Sequence, residues 1–394
     1  MKGRSGFHRC LLRVGHRKTR AQNSCTRANR VEPRDRILIT MRNQQADHVP
    51  ACPDLWEMVP VRLTGRPTWE VMVYQDPPIW KARMDAHTYY GTDAFIPIMV
   101  PMSARQRIAV LYRDNSKLIT REFTETNAGI EWSPFARIFE HDPPNARVEA
   151  DTLNLDITSL REVVRPNYTK VGKDYFADVR DYVGERGVVI PVVRLPCIDH
   201  RLCSTYQYHD DPDTVIREMQ RLGEAMMRQA EEILSWGPDV MGIYNSGLMI
   251  FNPEPIFRRL SLDWLKKVTA LAHARGVITH VHCCGPERKL AEIAARETHL
   301  SSLEPLEVRP MGDCDLRELK QQFGHKLALK GNLHTTDVML FGSVECVEEA
   351  CKRAIDDAGE GGGFVLSTAD QTPRDTPDEN IIAMQRVAET YGRY

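Results

Sequence analysis

The sequence carries one short run of potential metal ligands, His280-Val281-His282-Cys283-Cys284-Gly285. Alternate side chains of a β-strand point to the same face, so His280, His282 and Cys284 would share one face. An imidazole and a thiolate form a borderline-soft pair that suits Zn²⁺. The alternative is structural, a strand end with inward histidines and buried thiols, because a lone His-x-Cys pair is weak evidence of a metal site.

Further polar residues follow predicted strands at positions where a parallel barrel would gather them. In such a barrel, catalytic groups lie just after the carboxyl ends of the strands. The set is rich in metal ligands and hydrogen-bonding groups: Asp54, Arg194, Asn245, His282, Cys284, Glu304, Asn332, His334 and Asp370. A structural protein has no need to collect these side chains, so we expect a functional site at this end of the barrel.

The elements that must position these residues are eight short apolar runs, which we interpret as strands. They lie at 49–52, 95–98, 188–193, 240–244, 277–281, 300–303, 327–329 and 363–366. Helical patterns of about 10 to 15 residues separate most of them, including a capping box at 376–379 before the last helix, which is typical of parallel βαβ units. Eight strands close a (β/α)₈ TIM barrel, an α/β fold. A doubly wound open sheet is the rival, but no Gly-x-Gly-x-x-Gly follows the first strand.

Two segments depart from this alternation. Residues 107–113 and 118–123 alternate around Asp114-Asn115, which predicts an antiparallel hairpin inserted into the barrel. Residues 1–31 contain nine Lys and Arg and no acidic residue. We expect 1–31 to be a disordered basic extension and 32–394 to be the barrel domain. A transit peptide or a nucleic-acid arm is the alternative for 1–31.

The composition narrows the functional class. The 394 residues are 42% hydrophobic and 27% charged, which is typical of globular proteins and excludes collagen-like and coiled-coil chains. The sequence has no run of about 18 apolar residues, the length that predicts a membrane span. The acidic body of the chain argues against nucleic acid as a partner. Ten cysteines without a Cys-x-x-Cys pair or a secretory signal predict reduced thiols and a cytoplasmic location.

Several motifs together resemble the uroporphyrinogen decarboxylase-like superfamily. His-Cys-Cys-Gly at 282–285 fits its His-x-Cys-Gly signature, and Gly-Asn-Leu at 331–333 fits its turn after the seventh strand. Residues 361–366 and 376–380 fit its C-terminal segment, and 34–50 look like its opening helix and first strand. The resemblance spans about 32–394, is strongest from 236 onward, and implies the barrel fold and an enzyme.

Two branches of that superfamily are relevant. True decarboxylases carry Arg-Gln-Ala-Gly-Arg-Tyr after the first strand to grip porphyrinogen carboxylates, whereas this chain has Pro-Ala-Cys-Pro-Asp-Leu-Trp at 50–56. The methyltransferase branch binds zinc through His-x-Cys and a later Cys. The resemblance thus assigns zinc to His282 and Cys284, with Asp370 at the third position and His334 as a fourth ligand or a substitute. Asp is a legitimate but harder zinc ligand.

The remaining candidates have weaker assignments. Glu304 would donate a proton to the departing atom or support a zinc-bound histidine, with a solvated rim carboxylate as the alternative. Asn245 and Asn332 would orient the substrate, although Asn after a strand is also a common turn residue. Arg194 would pair with a substrate carboxylate or a corrinoid side chain, or else with Asp199.

Our first hypothesis is a zinc-dependent methyltransferase that moves a methyl group between a small methylated substrate and a corrinoid (cobalamin) protein. The substrate would be a methoxylated compound, a methylamine, a halomethane or a thiol. The second is a metal-free lyase of the uroporphyrinogen decarboxylase type that uses Asp370 and Glu304. The third is a non-catalytic barrel that binds a tetrapyrrole or a corrinoid partner.

Overall fold

A computed structural model describes residues 31–103, 106–153, 155, 162–199 and 202–394. The described residues contain twelve strands: β1 (Ala94–Ile98), β2 (Gln106–Arg113), β3 (Lys117–Thr126), β4 (Gly129–Glu140), β5 (Ala146–Glu149), β6 (Glu162–Val163), β7 (Gly187–Val193), β8 (Val240–Tyr244), β9 (Ile278–His282), β10 (Ser302–Glu304), β11 (Ala328–Leu333) and β12 (Phe364–Thr368).

The same residues contain fourteen α-helices: α1 (Pro33–Met41), α2 (Met58–Thr64), α3 (Thr68–Met72), α4 (Ile79–Tyr90), α5 (Gly172–Val183), α6 (Leu202–Asp210), α7 (Pro212–Ser235), α8 (Leu248–Phe251), α9 (Glu254–Leu260), α10 (Leu262–Ala274), α11 (Arg288–Glu297), α12 (Leu316–Phe323), α13 (Val344–Ala358) and α14 (Asp378–Thr390). A π-helical turn, Thr335–Leu340, follows β11.

Seven strands form a curled parallel sheet in the order β1-β7-β8-β9-β10-β11-β12. Their residues are buried on both faces, as near-continuous apolar runs in a parallel sheet require. The predicted first strand, 49–52, contributes a single parallel bridge, Ala51 to Leu366 of β12. On its other side the Asp93 N–H donates to the Ala51 carbonyl at 3.0 Å. Residues 49–52 thus stand in the eighth position, and the (β/α)₈ TIM-barrel-like fold is confirmed.

The first-strand segment is fixed to the barrel by Arg36 of α1. Arg36 is almost fully buried, and its guanidinium donates to Asp47 at 2.7 Å and to Asp93 at 2.5 Å. The second oxygen of Asp93 accepts from the Ala51 N–H at 3.2 Å. The arginine therefore holds in place the segment that leads to Asp54.

The predicted hairpin is confirmed, but it belongs to a larger sheet. β2 and β3 pair antiparallel within a five-stranded sheet of order β5-β4-β3-β2-β6. β4 was not predicted because most of its residues are exposed or half-buried and Pro134 interrupts its pattern. The whole insertion lies between β1 and β7 in the chain.

The region Glu32–Tyr394 forms one compact unit. Residues 1–30 lie outside the described part of the chain. The predicted disordered extension, 1–31, and its boundary with the barrel domain therefore stay predictions. The seven cysteines whose side chains are described are free thiols. Within the described residues, no helix combines the length and apolar character needed to cross a membrane.

Candidate metal centre

Three of the four predicted metal ligands come together at the carboxyl end of the barrel. His282 ends β9, Cys284 lies two residues beyond, and Asp370 lies two residues beyond the end of β12. One ligand atom from each lies within 4.8 Å of the others, and His282 Nε2 is 3.7 Å from Asp370 Oδ1. Asp370 has a positive φ of 88°, and its carbonyl accepts a hydrogen bond from Thr368 Oγ1 at 2.8 Å. We call these three residues the donor triad.

The ring of His282 is oriented from behind by Glu304 and Tyr244. Its Nδ1 donates to Glu304 Oε1 at 3.1 Å, and the ring of Tyr244 stacks on it with centroids 5.0 Å apart. Because Nδ1 is engaged, Nε2 is the nitrogen that faces Asp370. A carboxylate behind a histidine in this way fixes the tautomer and the ring orientation of a metal ligand.

The donor set fits zinc. Imidazole nitrogen, thiolate sulfur and carboxylate oxygen are all zinc ligands, and three protein ligands leave a fourth position open, as in catalytic sites. Burial disfavours the charged form of His282, but hydrogen bonds to Cys284 and Glu304 raise its pKa well above the usual range. A zinc ion would therefore displace a proton from His282.

Glu304 is the centre of a buried polar cluster that sequence reasoning found only in part. Its Oε1 lies 3.1 Å from Nε2 of His280 and accepts from the Tyr244 hydroxyl at 3.1 Å, while Oε2 accepts from Lys330 Nζ. Burial alone would raise the pKa of Glu304, but the charge of Lys330 and the two histidines lowers it well below its usual range. An anionic Glu304 supports His282 and has no proton to donate.

Lys330 is, with Tyr244, a site residue that the sequence analysis missed. It lies on β11, where the pairing of Leu303 with Leu329 places Glu304 beside Lys330 on the inner face. Lys330 is 2% exposed, and its ammonium also donates to Ser367 Oγ at 3.0 Å. The signal was present, because a lysine inside an otherwise apolar buried strand needs a buried partner.

Comparisons with known proteins identify the family to which part of the chain is similar. Residues 205–391 match the uroporphyrinogen decarboxylase (URO-D) family. These residues are a URO-D family domain. The resemblance seen in the sequence motifs is therefore confirmed, and the domain includes β8 to β12 and the whole donor triad.

One solved structure has the same fold over nearly the whole chain. A methyltransferase from Methanosarcina mazei superimposes with a TM-score of 0.65 at 16% identity, covering 92% of this chain and 99% of that one. A B12-independent methionine synthase from Shewanella sp. W3-18-1 gives a TM-score of 0.45 at 12% identity, covering 87% and 98%. None of the curated proteins compared matches the sequence.

His334 does not join the donor triad in the described part of the URO-D domain. Its Nδ1 accepts hydrogen bonds from the backbone N–H groups of Thr336 and Asp337 at 3.3 and 3.0 Å. It therefore caps the π-helical turn after β11. Its Nδ1 is occupied by the cap, and among the described residues His334 lies outside the group whose ligand atoms lie within 4.8 Å of one another. Its assignment as a fourth ligand stays a prediction.

Both predicted asparagines are engaged with backbone. Asn245 accepts from the Leu195 N–H and donates to the Leu195 carbonyl, each at 2.9 Å, and donates to Cys197 Sγ at 3.0 Å. Asn332 donates to the Leu306 carbonyl at 3.0 Å. Asn245 thus holds the loop after β7, and the role of both asparagines in orienting a substrate stays a prediction.

Asp54 lies beside Tyr244, Glu304 and Lys330, whereas Arg194 lies in the loop after β7. Burial, followed by the charge of Glu304, raises the pKa of Asp54 to about 6. Arg194 is exposed and lines a cavity beside Asn245. Asp54 therefore keeps its proton to a higher pH than an aspartate in water does.

Proposed function

We propose that this chain is a zinc-dependent methyltransferase that moves a methyl group between a small methylated substrate and a corrinoid protein. The observation that carries the proposal is the donor triad, with His282 held by Glu304 so that Nε2 faces Asp370. The URO-D family domain and the fold shared with the methyltransferase from Methanosarcina mazei support it.

In this proposal His282, Cys284 and Asp370 would hold the zinc ion. Zinc bound there would act as a Lewis acid on the heteroatom that carries the methyl group. Glu304, kept anionic by Lys330, fixes His282. When the bond between methyl and heteroatom breaks, the electron pair stays on the heteroatom. Asp54 would donate the proton that the heteroatom then takes up. The sequence analysis gave this role to Glu304.

The decarboxylase alternative lacks its substrate clamp in the described residues. The arginines around the first strand are already engaged: Arg36 with Asp47 and Asp93, Arg62 with Asp378, and Arg83 with the carbonyls of Trp56 and Pro97. A substrate with eight carboxylates would need guanidinium partners, each worth about 1.5–3 kcal/mol.

Metal analysis tests the proposal directly. We expect about one zinc ion per purified chain, and loss of most of it on Cys284→Ala or Asp370→Ala, because three ligands are the minimum of such a site. Cys346→Ala is the matched control, since this exposed thiol lies on α13 outside the donor triad.

Activity is measured with free cob(I)alamin as the methyl acceptor and methoxylated aromatic compounds as donors, followed by the change in corrinoid absorbance. Zinc-dependent methylation of the corrinoid supports the proposal. A metal-free preparation that consumes uroporphyrinogen would overturn it, and so would zinc-loaded protein that binds a corrinoid protein without turning over any methyl donor.

A further inference from the structure

A cavity of about 500 Å³ lies at the carboxyl ends of β7 and β8. Its walls come from the loop that follows β7, from one face of α7, and from Asn245 after β8. The volume is in the range of small-molecule sites, and the carboxyl end of the strands is where barrel enzymes bind substrates.

The wall of this cavity is mostly apolar. Among the lining residues are Met99, Val192, Leu195, Val215, Met219 and Leu222. Methionine side chains adapt to irregular shapes and make favourable contacts with aromatic rings. A ligand that fills this space would therefore bury an apolar, preferably aromatic, body.

One charge in the cavity is left without a partner. Arg194 is the sole cationic side chain among the described residues that line it, and no hydrogen bond or ion pair joins Arg194 to another described residue. The acidic lining residues are already engaged: Glu218 accepts two hydrogen bonds from Arg221, at 2.9 and 2.7 Å, and Asp199 is not free either. Burial raises the pKa of the Cys197 thiol to about 11, so it stays neutral.

The cavity is joined to the donor triad through one residue. The Asn245 side chain lines the cavity and holds Leu195 and Cys197, while its backbone N–H donates to the His282 carbonyl at 3.0 Å. Tyr244, its neighbour in the chain, stacks on the His282 ring. A molecule held in the cavity thus lies against Asn245 at the end of β8, the strand that pairs with β9 and places Tyr244 opposite His282.

We propose that this cavity is the substrate site and that the substrate is a methoxylated aromatic acid whose carboxylate pairs with Arg194. The inference rests on the proposed function, because it takes the donor triad as the place where the methyl group leaves. Guanidinium and carboxylate form a charge-assisted, two-pronged pair that neither a neutral ligand nor a single hydrogen bond reproduces.

The test is a binding measurement that needs neither corrinoid nor turnover. Isothermal titration calorimetry of the full chain compares 4-methoxybenzoate, its neutral analogue 4-methoxybenzamide, and acetate. We expect 4-methoxybenzoate to bind about 10- to 100-fold more tightly than the amide, since a hydrogen bond to a charged group is worth about 1.5–3 kcal/mol. Acetate, which lacks the apolar body, binds more weakly than both.

Variants assign the effect to the side chain. Arg194→Met abolishes the preference for the carboxylate, and Arg194→Lys restores part of it. Arg217→Met is the matched control, because Arg217 lies on α7, outside the lining, and donates to Thr214 Oγ1. Equal affinity for acid and amide, equal affinity of wild type and Arg194→Met, or no binding of 4-methoxybenzoate overturns the inference. Zinc-dependent methyl transfer by the same protein would then leave the proposed function intact.

Discussion

Replacing Lys330 by Met tests whether the buried ion pair holds the site together. Lys330 and Glu304 are each 2% exposed, and the ammonium is the partner of the carboxylate oxygen that faces away from the histidines. Removing one member of a buried pair costs about 3–5 kcal/mol, because the other charge is left buried and uncompensated. We expect Lys330→Met to lower the free energy of unfolding by this amount, measured by urea denaturation followed by circular dichroism.

The same change should weaken zinc binding. Loss of an outer partner of a ligating histidine typically costs about 10- to 100-fold in metal affinity. Competition with a chromophoric chelator measures it. The double variant Lys330→Met/Glu304→Gln removes both charges and should recover part of the lost stability, whereas Ser367→Ala, which removes only the hydroxyl next to Lys330, should leave zinc affinity within a few-fold. A loss of stability below about 1 kcal/mol in Lys330→Met would refute the reasoning.

Three further changes have distinct expected outcomes. Asp54→Asn should stabilise the protein by up to about 3 kcal/mol at pH 8 and not at pH 4: with the pKa raised from 3.8 to about 6, the penalty of ionising Asp54 in the fold is absent below pH 4 and complete above pH 6. Urea denaturation at both pH values measures this, and the same variant should transfer methyl groups at least about 100-fold more slowly if Asp54 supplies the proton. His334→Ala should keep its zinc in metal analysis and lose about 1 kcal/mol of stability, as a lost helix cap does; loss of zinc would contradict its exclusion from the donor triad. Arg36→Met should cost about 3–5 kcal/mol in the same denaturation assay, because Asp93 is left buried without its partner, and a cost below 1 kcal/mol would contradict that account.

The barrel was predictable from sequence because its strands are buried on both faces. Such strands are short apolar runs bounded by helical patterns, and seven of the eight predicted runs are strands. The eighth is only a bridge, since Pro50 and Pro53 have no N–H to donate to a ladder. The capping box at 376–379 was also wrong in detail: α14 begins at Asp378, and no described group bonds Thr376 Oγ1.

The grouping of the donor triad could be predicted from strand order, whereas the choice of these three residues as ligands came from the family resemblance. Once the strands are parallel, the residues after β9 and β12 must meet at one end, whatever the register. The pairing of Glu304 with Lys330 depends on the register of β10 against β11, which apolar periodicity does not specify. The capping role of His334 depends on the π-helical turn after β11. The sequence rules for α-helix caps do not describe such a turn.

The inward-facing side chains of the barrel change from apolar to polar along its strands. This change explains how one fold supports both stability and chemistry. Near the amino ends, inner positions such as Ile278, Val240 and Val365 pack in one apolar cluster. Two residues further along β9, His280 bonds Ser302 Oγ at 3.1 Å, and two further still, His282 reaches the donor triad. The period-2 alternation that buries the apolar base therefore also aims the polar side chains at the mouth. The buried charges are tolerated because each contacts another of the set, and their positions are fixed by the same strand pairing that forms the core.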